Sequence, residues 1–535
     1  MRIALVAPKW YKMVNSYPPL GLGYLAAVLE QDGHWTAIFD LGLEPDTPLD
    51  EAVEAIVAFR PDLVGFTAMT HNYASAAETM TLLKERLDCP IVLGGPHATL
   101  FPEELVADPA VDYVIVGEGE ETLRELARIL ELWLLPEGSR RPPAAALAAI
   151  QGLVWTHNGF RGRREIERNP ERPLIKDLDA LPFPARKKFA LERYTLQAPT
   201  GEPMATVLSS RGCPFNCSYC FKGIVGRTYR QRSPENVLQE LRLLVDHYGY
   251  RHIYFIDDLF AYDQERLTAL CEEILAEGLD IRWQCLARVD RVTPEVLRLM
   301  YRAGCREVHY GIESGNPEIL RRIGKAITLD QVRQAVTWTA EAGILVKGYF
   351  MLGLPGDTAE TMQQTIDFAS ELALDQAMFS LTTPFPGTRL WDELLAREPD
   401  VALEGDFSQA FYYAGVGEAE FGPFFNLSQV SDDELMRWMS VAQAQFQEAK
   451  RRRKYIRALG SSVGDLCYRL STVDLARRVG HAALNHPLVR GVLAGRRPAP
   501  HGHRGDAQHR GDENRQELAE LGHYNLQEEL AEKWQ

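Results

Sequence analysis

Short apolar runs alternate along the chain with longer stretches in which apolar residues recur every three or four positions. Runs at 3–6, 36–39, 63–66, 91–93 and 113–116 predict strands, and the stretches 20–31, 49–59, 74–87 and 121–130 predict helices. Such alternation implies a doubly wound parallel sheet with both faces covered, and ligands beyond the carboxyl ends of its strands. The pattern then breaks: 136–190 is rich in Pro, Arg and Ala, with a hairpin signal at 153–167 around Asn158-Gly159. From Met204 the alternation resumes, with strands predicted at 206–209, 252–256, 281–286, 307–311, 345–352 and 376–381 and helices at 234–247, 264–277, 294–303, 329–342 and 359–372. Six such units predict a partial barrel, whose chemistry belongs at the carboxyl ends of its strands.

Beyond the barrel come Phe407, Phe411, Phe421, Phe424 and Phe425 and a helix at 432–459, which read either as a cap over the barrel mouth or as a helical packing domain. Residues 496–514 are dominated by Gly, Pro, Arg, His and Asp and predict disorder, with a short helix at 526–534. The expected division is 1–135, a linker with hairpin at 136–195, the barrel at 196–400, a mainly helical region at 401–495 and a tail at 496–535.

At 535 residues and 46% hydrophobic composition, the chain suits two to four domains. A net charge of −16 argues against an extended nucleic-acid surface. The sequence offers no apolar stretch of membrane-spanning length and no signal peptide, so a cytoplasmic protein is expected. Of eight cysteines five are scattered, which is not the pattern of a disulfide framework.

The other three sit in Arg211-Gly-Cys213-Pro-Phe-Asn-Cys217-Ser-Tyr-Cys220-Phe221. Thiolates select zinc or iron-sulfur clusters, and a structural zinc site wants four protein ligands. Three cysteines suit a 4Fe-4S cubane with one iron left open to a small molecule. The spacing Cys-x3-Cys-x-aromatic-Cys, with Tyr219 as the aromatic, resembles the signature of the radical S-adenosylmethionine (SAM) enzymes. The resemblance implies that Cys213, Cys217 and Cys220 hold the cluster and that its open iron chelates SAM. The reduced cluster then cleaves the sulfonium to a 5′-deoxyadenosyl radical. It also implies a TIM-type (β/α)6 core in which Tyr219, Asp257, Arg288, Glu313, Ser314 and Gly353 serve SAM. Glu313 and Ser314 suit a ribose diol, Arg288 suits a carboxylate, and the glycine permits approach to adenine.

In the first third, Gly21-x-Gly23-x-x-Ala26 with Asp40 superficially matches a dinucleotide fingerprint, but a dozen residues with two prolines separate the glycines from the first strand. The succession Tyr17-Pro-Pro-Leu-Gly-Leu-Gly23, Gly33-His34, Gly94-Gly95 and Gly117-Glu-Gly119 instead resembles the Rossmann-like cobalamin-binding domain of cobalamin-dependent radical SAM proteins, over residues 1–135. By that resemblance Pro19, Leu20, Gly21, Thr67, Thr70, Gly94, Gly95, His97, Gly117 and Glu118 contact cobalamin. Domains that ligate cobalt through histidine carry Asp-x-His-x-x-Gly after the first strand. This chain has Val6-Ala-Pro-Lys-Trp10 there, so cobalt is expected to lack that ligand.

The combined resemblance implies an enzyme that uses a 4Fe-4S cluster, SAM and cobalamin to move a methyl group onto an unactivated carbon of a small-molecule or lipid substrate, or onto phosphorus, class B methyltransferases being the nearest likeness. An electron donor such as flavodoxin or ferredoxin is implied as partner. The alternatives are a non-methylating radical SAM cyclase or rearrangement enzyme and a non-catalytic cobalamin or redox sensor. A tRNA methylthiotransferase requires further N-terminal cluster cysteines, and only Cys89 precedes Cys213.

Overall fold

Alternate residues of the first strands feed two separate cores, as the short uninterrupted apolar runs require. In β1 (Arg2–Ala7), Ala4 and Val6 pack on one face of the sheet and Ile3, Leu5 and Ala7 on the other. The structure, a computed structural model, describes residues 1–10, 16–134, 142–158, 164–399, 401 and 425–471. Strands β2 (Trp35–Asp40), β3 (Leu63–Thr67), β4 (Ile91–Gly94) and β5 (Tyr113–Ile115) join β1 in the order β2-β1-β3-β4-β5, all parallel. The order reverses between β1 and β3, which makes that edge the place for a ligand. The hairpin assigned from sequence to a linker belongs to this sheet. Its strands β6 (Leu153–Asn158) and β7 (Arg164–Arg168) continue it antiparallel beyond β5.

The second sheet comprises β8 (Met204–Val207), β11 (His252–Phe255), β12 (Arg282–Ala287), β13 (Cys305–Glu313), β14 (Leu345–Leu352) and β15 (Gln376–Leu381), after a two-stranded ribbon of β9 (Ser210–Arg211) and β10 (Arg230–Gln231). Its order is β15-β14-β13-β12-β11-β8, parallel throughout. Val308, Tyr310, Ile312, Val346, Phe350 and Trp283 point outward into the core shared with the helices. The inward positions differ from the apolar layers of a closed barrel. Glu307 accepts from His309 Nε2 at 2.8 Å, Tyr349 Oη lies 3.3 Å from His309 Nδ1, and Tyr254 packs against the same imidazole. Burial pulls the neighbouring Lys347 ammonium down, and Glu307 partly restores it.

The helix Asp432–Leu459 is a layer of the barrel. Leu435, Met439, Ala442 and Phe446 join its main core, and the three larger side chains, Leu435, Met439 and Phe446, stabilise by roughly 1.5–3 kcal/mol each when buried. Phe407, Phe411, Phe421 and Phe424 and the predicted tail lie outside the described residues. Several short helices were not legible as periodic stretches, among them Pro96–Leu100, Pro317–Arg322 and Arg389–Arg397. No helix among the described residues is long and apolar enough to cross a membrane.

Asp357 locks the turn after β14. It is 1% exposed, accepts from Leu354 N and Thr361 Oγ1 at 2.9 and 2.8 Å, and its carbonyl takes Gln429 N from the segment before the long helix. Burial pushes its carboxyl up to about 6. The native state therefore holds this proton more tightly than the unfolded chain does. The associated stability is complete below about pH 4 and is lost as pH rises through about 6. Urea unfolding of wild type and Asp357→Asn across that interval is expected to show wild type losing on the order of 3 kcal/mol relative to the variant. A constant difference would refute the shift.

Candidate active site at the barrel mouth

The cysteine loop hangs from the β9/β10 stem, in which Arg211 stands directly opposite Arg230. Gly212 turns the chain into the loop with φ +86°, and a Cβ there would lie 2.3 Å from Thr228 O, so only glycine fits. The loop backbone is anchored without help from the thiols. Ser218 N donates to Ile323 O at 2.8 Å, Leu390 N to Ser218 O at 3.1 Å, Arg389 to Asn216 O at 2.8 Å, and Lys222 Nζ to the carbonyls of Cys213 and Phe215. All three cysteines are free, with Cys213 and Cys217 half-buried and Cys220 exposed. Burial pushes the Cys220 thiol up to about 11, with Asp258, Cys213 and Cys217 adding to the rise and Lys222 opposing it.

Opposite the loop, Glu313 ends β13 in the left-handed region, φ +71°. A non-glycine residue held there costs on the order of 1–3 kcal/mol and marks a functional constraint. Its Oε1 takes Lys325 Nζ at 2.8 Å and Tyr219 Oη at 3.0 Å, so the aromatic of the cysteine motif is tied to the strand end. Gly311 makes the room: a Cβ there would lie 2.6 Å from Glu313 Oε1 and 2.9 Å from Lys325 Nζ. Burial drives the Tyr219 phenol well up, and Glu313 adds to the shift. Arg288 stacks on Phe215 at 3.6 Å, pairs with Asp290 at 2.9 Å and donates to Lys325 O at 3.0 Å, which puts it between the cysteine loop and the Lys325 segment.

Three of the residues expected at SAM also make protein contacts. Asp257 is fully buried and accepts from Ser209 N, Ser209 Oγ and Ser210 Oγ, so it positions the strand entering the loop. Burial raises its carboxyl, while those bonds oppose the rise. Ser314 Oγ pairs with Thr365 Oγ1 at 3.1 Å and accepts from Asn316 N, a turn and helix contact. Gly353 has φ +85° with Leu435 Cδ2 2.9 Å from where its Cβ would stand, so it admits the long helix. The sequence gives no sign of a role for Lys325 or Phe215, whereas Thr383 opens the segment Thr383-Pro-Phe-Pro-Gly-Thr388 at the end of the sixth strand. No spacing ties Lys325 to Glu313, and Thr383 Oγ1, just beyond β15, is buried without a hydrogen-bond partner among the described residues.

In the first domain the predicted residues gather at the carboxyl edge of the sheet. Thr67 and Gly94 are register partners, and Gly95, φ +94°, would drive a Cβ to 2.7 Å from Thr67 Oγ1. Pro19 precedes the helix Leu20–Gln31, in which Leu20 is buried. Gly21 and Gly117 have open space where a Cβ would stand. Gly23, by contrast, accommodates Pro184 and Phe189 of the connecting segment, both 3.0 Å away, which explains half of the apparent dinucleotide fingerprint as packing.

Two of the residues expected at the corrin are engaged by protein groups. His97 is 7% exposed, stacked on Tyr73 at 4.2 Å and against Phe101, with Nδ1 3.4 Å from Thr70 Oγ1, and burial takes its pKa down to about 4. It is a neutral core ring. Glu118 accepts from Arg211 at 2.8 Å, from Arg230 at 2.8 Å and from Ile175 N at 2.8 Å, and so serves the domain junction. His71 packs on Trp10 at 4.3 Å and is likewise neutral, its pKa about 4 through burial.

The two strand-end sites meet. Gly387, φ +77°, is wedged where a Cβ would lie 2.4 Å from Leu100 of the first domain and 2.8 Å from the ring of Phe221, beside Cys220. The residues fit the expected groups: three soft donors on a pre-anchored loop, a buried Thr383 hydroxyl at the barrel mouth with no partner among the described residues, and open glycine faces at the first sheet's edge. Among the described residues, no three His, Cys, Asp or Glu side chains converge as a set that could hold a single metal ion.

Comparison with known proteins agrees with this layout. The Radical SAM superfamily model matches residues 207–369 and the B12 binding domain model residues 12–127. The chain is 36% identical over 404 residues to an uncharacterized methyltransferase of Pyrococcus horikoshii, covering 74% of this chain and 83% of that protein. It is 29% identical over 402 residues to an anaerobic magnesium-protoporphyrin IX monomethyl ester cyclase of Rubrivivax gelatinosus, covering 74% and 70%. Its fold is that of the radical SAM methyltransferase TsrM from Kitasatospora setae, solved with cobalamin and a [4Fe-4S] cluster. The TM-score is 0.59 at 24% identity, over 74% of this chain and 78% of that one.

Proposed function

Because the chain belongs to the cobalamin-dependent radical SAM methyltransferase family, with a 4Fe-4S cluster, SAM and cobalamin as cofactors, we propose that it transfers a methyl group to an unactivated carbon of a small-molecule or lipid substrate. The observation that carries this reading is the junction at Gly387, where the cysteine loop and the strand-end loops of the first domain face one mouth. When bound, the cluster and SAM supply a hydrogen-abstracting radical and the corrin supplies the methyl group.

The chain's own residues bind and orient. Cys213, Cys217 and Cys220 hold the cluster, and the exposed side of Cys220 is the natural approach for a one-electron donor such as flavodoxin or ferredoxin. Glu313 suits a ribose diol, Lys325 and Tyr219 fix its carboxylate, and Arg288 braces the loop through Phe215. Thr67, Gly94, Gly95 and Gly117 present close backbone approach to the corrin. Glu307, His309, Tyr349 and Lys347 give the lumen polar groups for the substrate.

The test is anaerobic turnover of reconstituted, cobalamin-loaded protein with SAM carrying a trideuterated methyl, a low-potential reductant and a metabolite extract. One product bearing all three deuteriums, formed with 5′-deoxyadenosine, is expected. 5′-Deoxyadenosine with an unlabelled product that has lost hydrogen replaces methylation by cyclisation, the reaction named for the Rubrivivax relative. No SAM cleavage leaves a sensor.

A further inference from the structure

The stem of the cysteine loop contains an arrangement that is unfavourable in isolation. Arg211 and Arg230 are register partners across the two-stranded ribbon, and like charges directly opposite each other destabilise a strand pair. Both are buried, at 8% and 7% exposure, where an uncompensated guanidinium is costly. The compensation comes from the first domain. Glu118 Oε1 takes Arg211 Nη1 at 2.8 Å and Arg230 Nη1 at 3.0 Å, its Oε2 takes Arg230 Nη1 at 2.8 Å, and Glu120 Oε1 takes Arg211 Nη2 at 2.6 Å. Two carboxylates thus balance two guanidiniums, and Glu118 bridges both arms of the stem. Arg230 also reaches the carbonyls of Ile175 and Val225, so the far arm is tied both to the connecting segment and to the loop itself. Gly212 and Cys213 follow Arg211 immediately.

Glu118 lies between Gly117, whose Cβ direction is open at the edge proposed for cobalamin, and Gly119. The loop that would touch one cofactor therefore carries the carboxylate that closes the stem holding the other. We infer that Glu118 is a positioning residue that couples cobalamin binding in the first domain to the closed state of the cluster loop. The inference rests on the cobalamin and cluster assignments above and adds a coupling between them. Linkage makes the effect reciprocal: if cobalamin favours the closed stem, an assembled cluster must tighten cobalamin binding by the same factor.

The experiment measures the cobalamin dissociation constant by absorption and intrinsic-fluorescence titration, without SAM or turnover, on protein with and without a reconstituted cluster. Wild type is expected to bind about tenfold more tightly with the cluster present. Glu118→Gln is expected to abolish that difference with the same iron content. Arg230→Lys, which keeps the charge and loses the fork, is carried in parallel in case Glu118→Gln fails to fold, and is expected to shrink the difference. Glu44→Gln removes an exposed ion pair to Arg193 of the connecting segment and is expected to leave it intact. Equal wild-type affinities with and without the cluster, or a difference that survives in both stem variants, overturn the coupling. Failure of both forms to bind cobalamin overturns the cobalamin assignment and the coupling with it, whereas equal tight binding overturns the coupling alone.

Discussion

Cys217→Ala protein is expected to fold as wild type does and to carry almost no cluster. Iron per chain after anaerobic reconstitution should fall from about four to below one, the charge-transfer absorption should disappear, and reductive formation of 5′-deoxyadenosine should be lost. The expectation of an intact fold comes from the anchoring of the loop. Ser218, next to Cys217, is pinned through its backbone to Ile323 and Leu390, and Lys222 and Arg389 hold the carbonyls of Cys213, Phe215 and Asn216. None of these bonds uses a thiol. With two thiolates left, two irons lack a protein ligand. Cys285 and Cys305 are fully buried in the outward-facing core, and Cys89 lies in the first domain's core. A variant that keeps four irons and cleaves SAM would remove Cys217 from the ligand set. The same measurement on Cys305→Ala should show iron unchanged.

The largest stability effect is expected at Glu240. Its side chain is completely buried between Arg186 of the connecting segment, at 2.7 Å, and Arg232, beside the stem. Burial pushes its carboxyl up, but the two guanidiniums outweigh burial and hold it below the usual range. Arg186 also donates to Thr206 O in β8, so the triad fastens the connecting segment to the barrel's first strand. Glu240→Ala leaves two buried cations facing a void, and breaking such a set costs about 3–5 kcal/mol. Urea unfolding should register that loss, with tryptophan fluorescence and circular dichroism moving together. A loss below about 1 kcal/mol would mean that water reaches the pair, as at an exposed ion pair.

Much of this architecture was legible in sequence because β1 to β5 of the first sheet and all six strands of the second are parallel. In the first domain a strand buried on two faces reads as a continuous apolar run, in the second β13 and β14 alternate apolar and polar positions, and the crossover helices are amphipathic, so period separates strand from helix. The cysteine loop was legible for a different reason: three soft ligands in eight residues have few uses. The hairpin at 153–168 was recognised as a hairpin, but a pair of antiparallel strands looks the same whether it extends a sheet or links two domains, and its pairing with β5 is a tertiary fact. Residues whose role comes from a distant partner were the least legible. Glu118 sat in a Gly-Glu-Gly turn that reads as a ligand loop, and only the fold brings Arg211 and Arg230 to it. Gly315 of the Glu-Ser-Gly segment proves to be a packing glycine, since a Cβ there would lie 2.7 Å from Gln364 O.

The inward column of Glu307, His309, Lys347 and Tyr349 contrasts with the apolar outward positions of the same two strands. Cohesion between strands and helices is thus supplied by Val308, Tyr310, Ile312, Val346 and Phe350, on the opposite side of the backbone from whatever occupies the interior. Selection can rewrite the inner residues for a new guest without disturbing the outer ones that keep the chain folded. A scaffold divided in this way is free to diversify in what it accepts while remaining constant in shape.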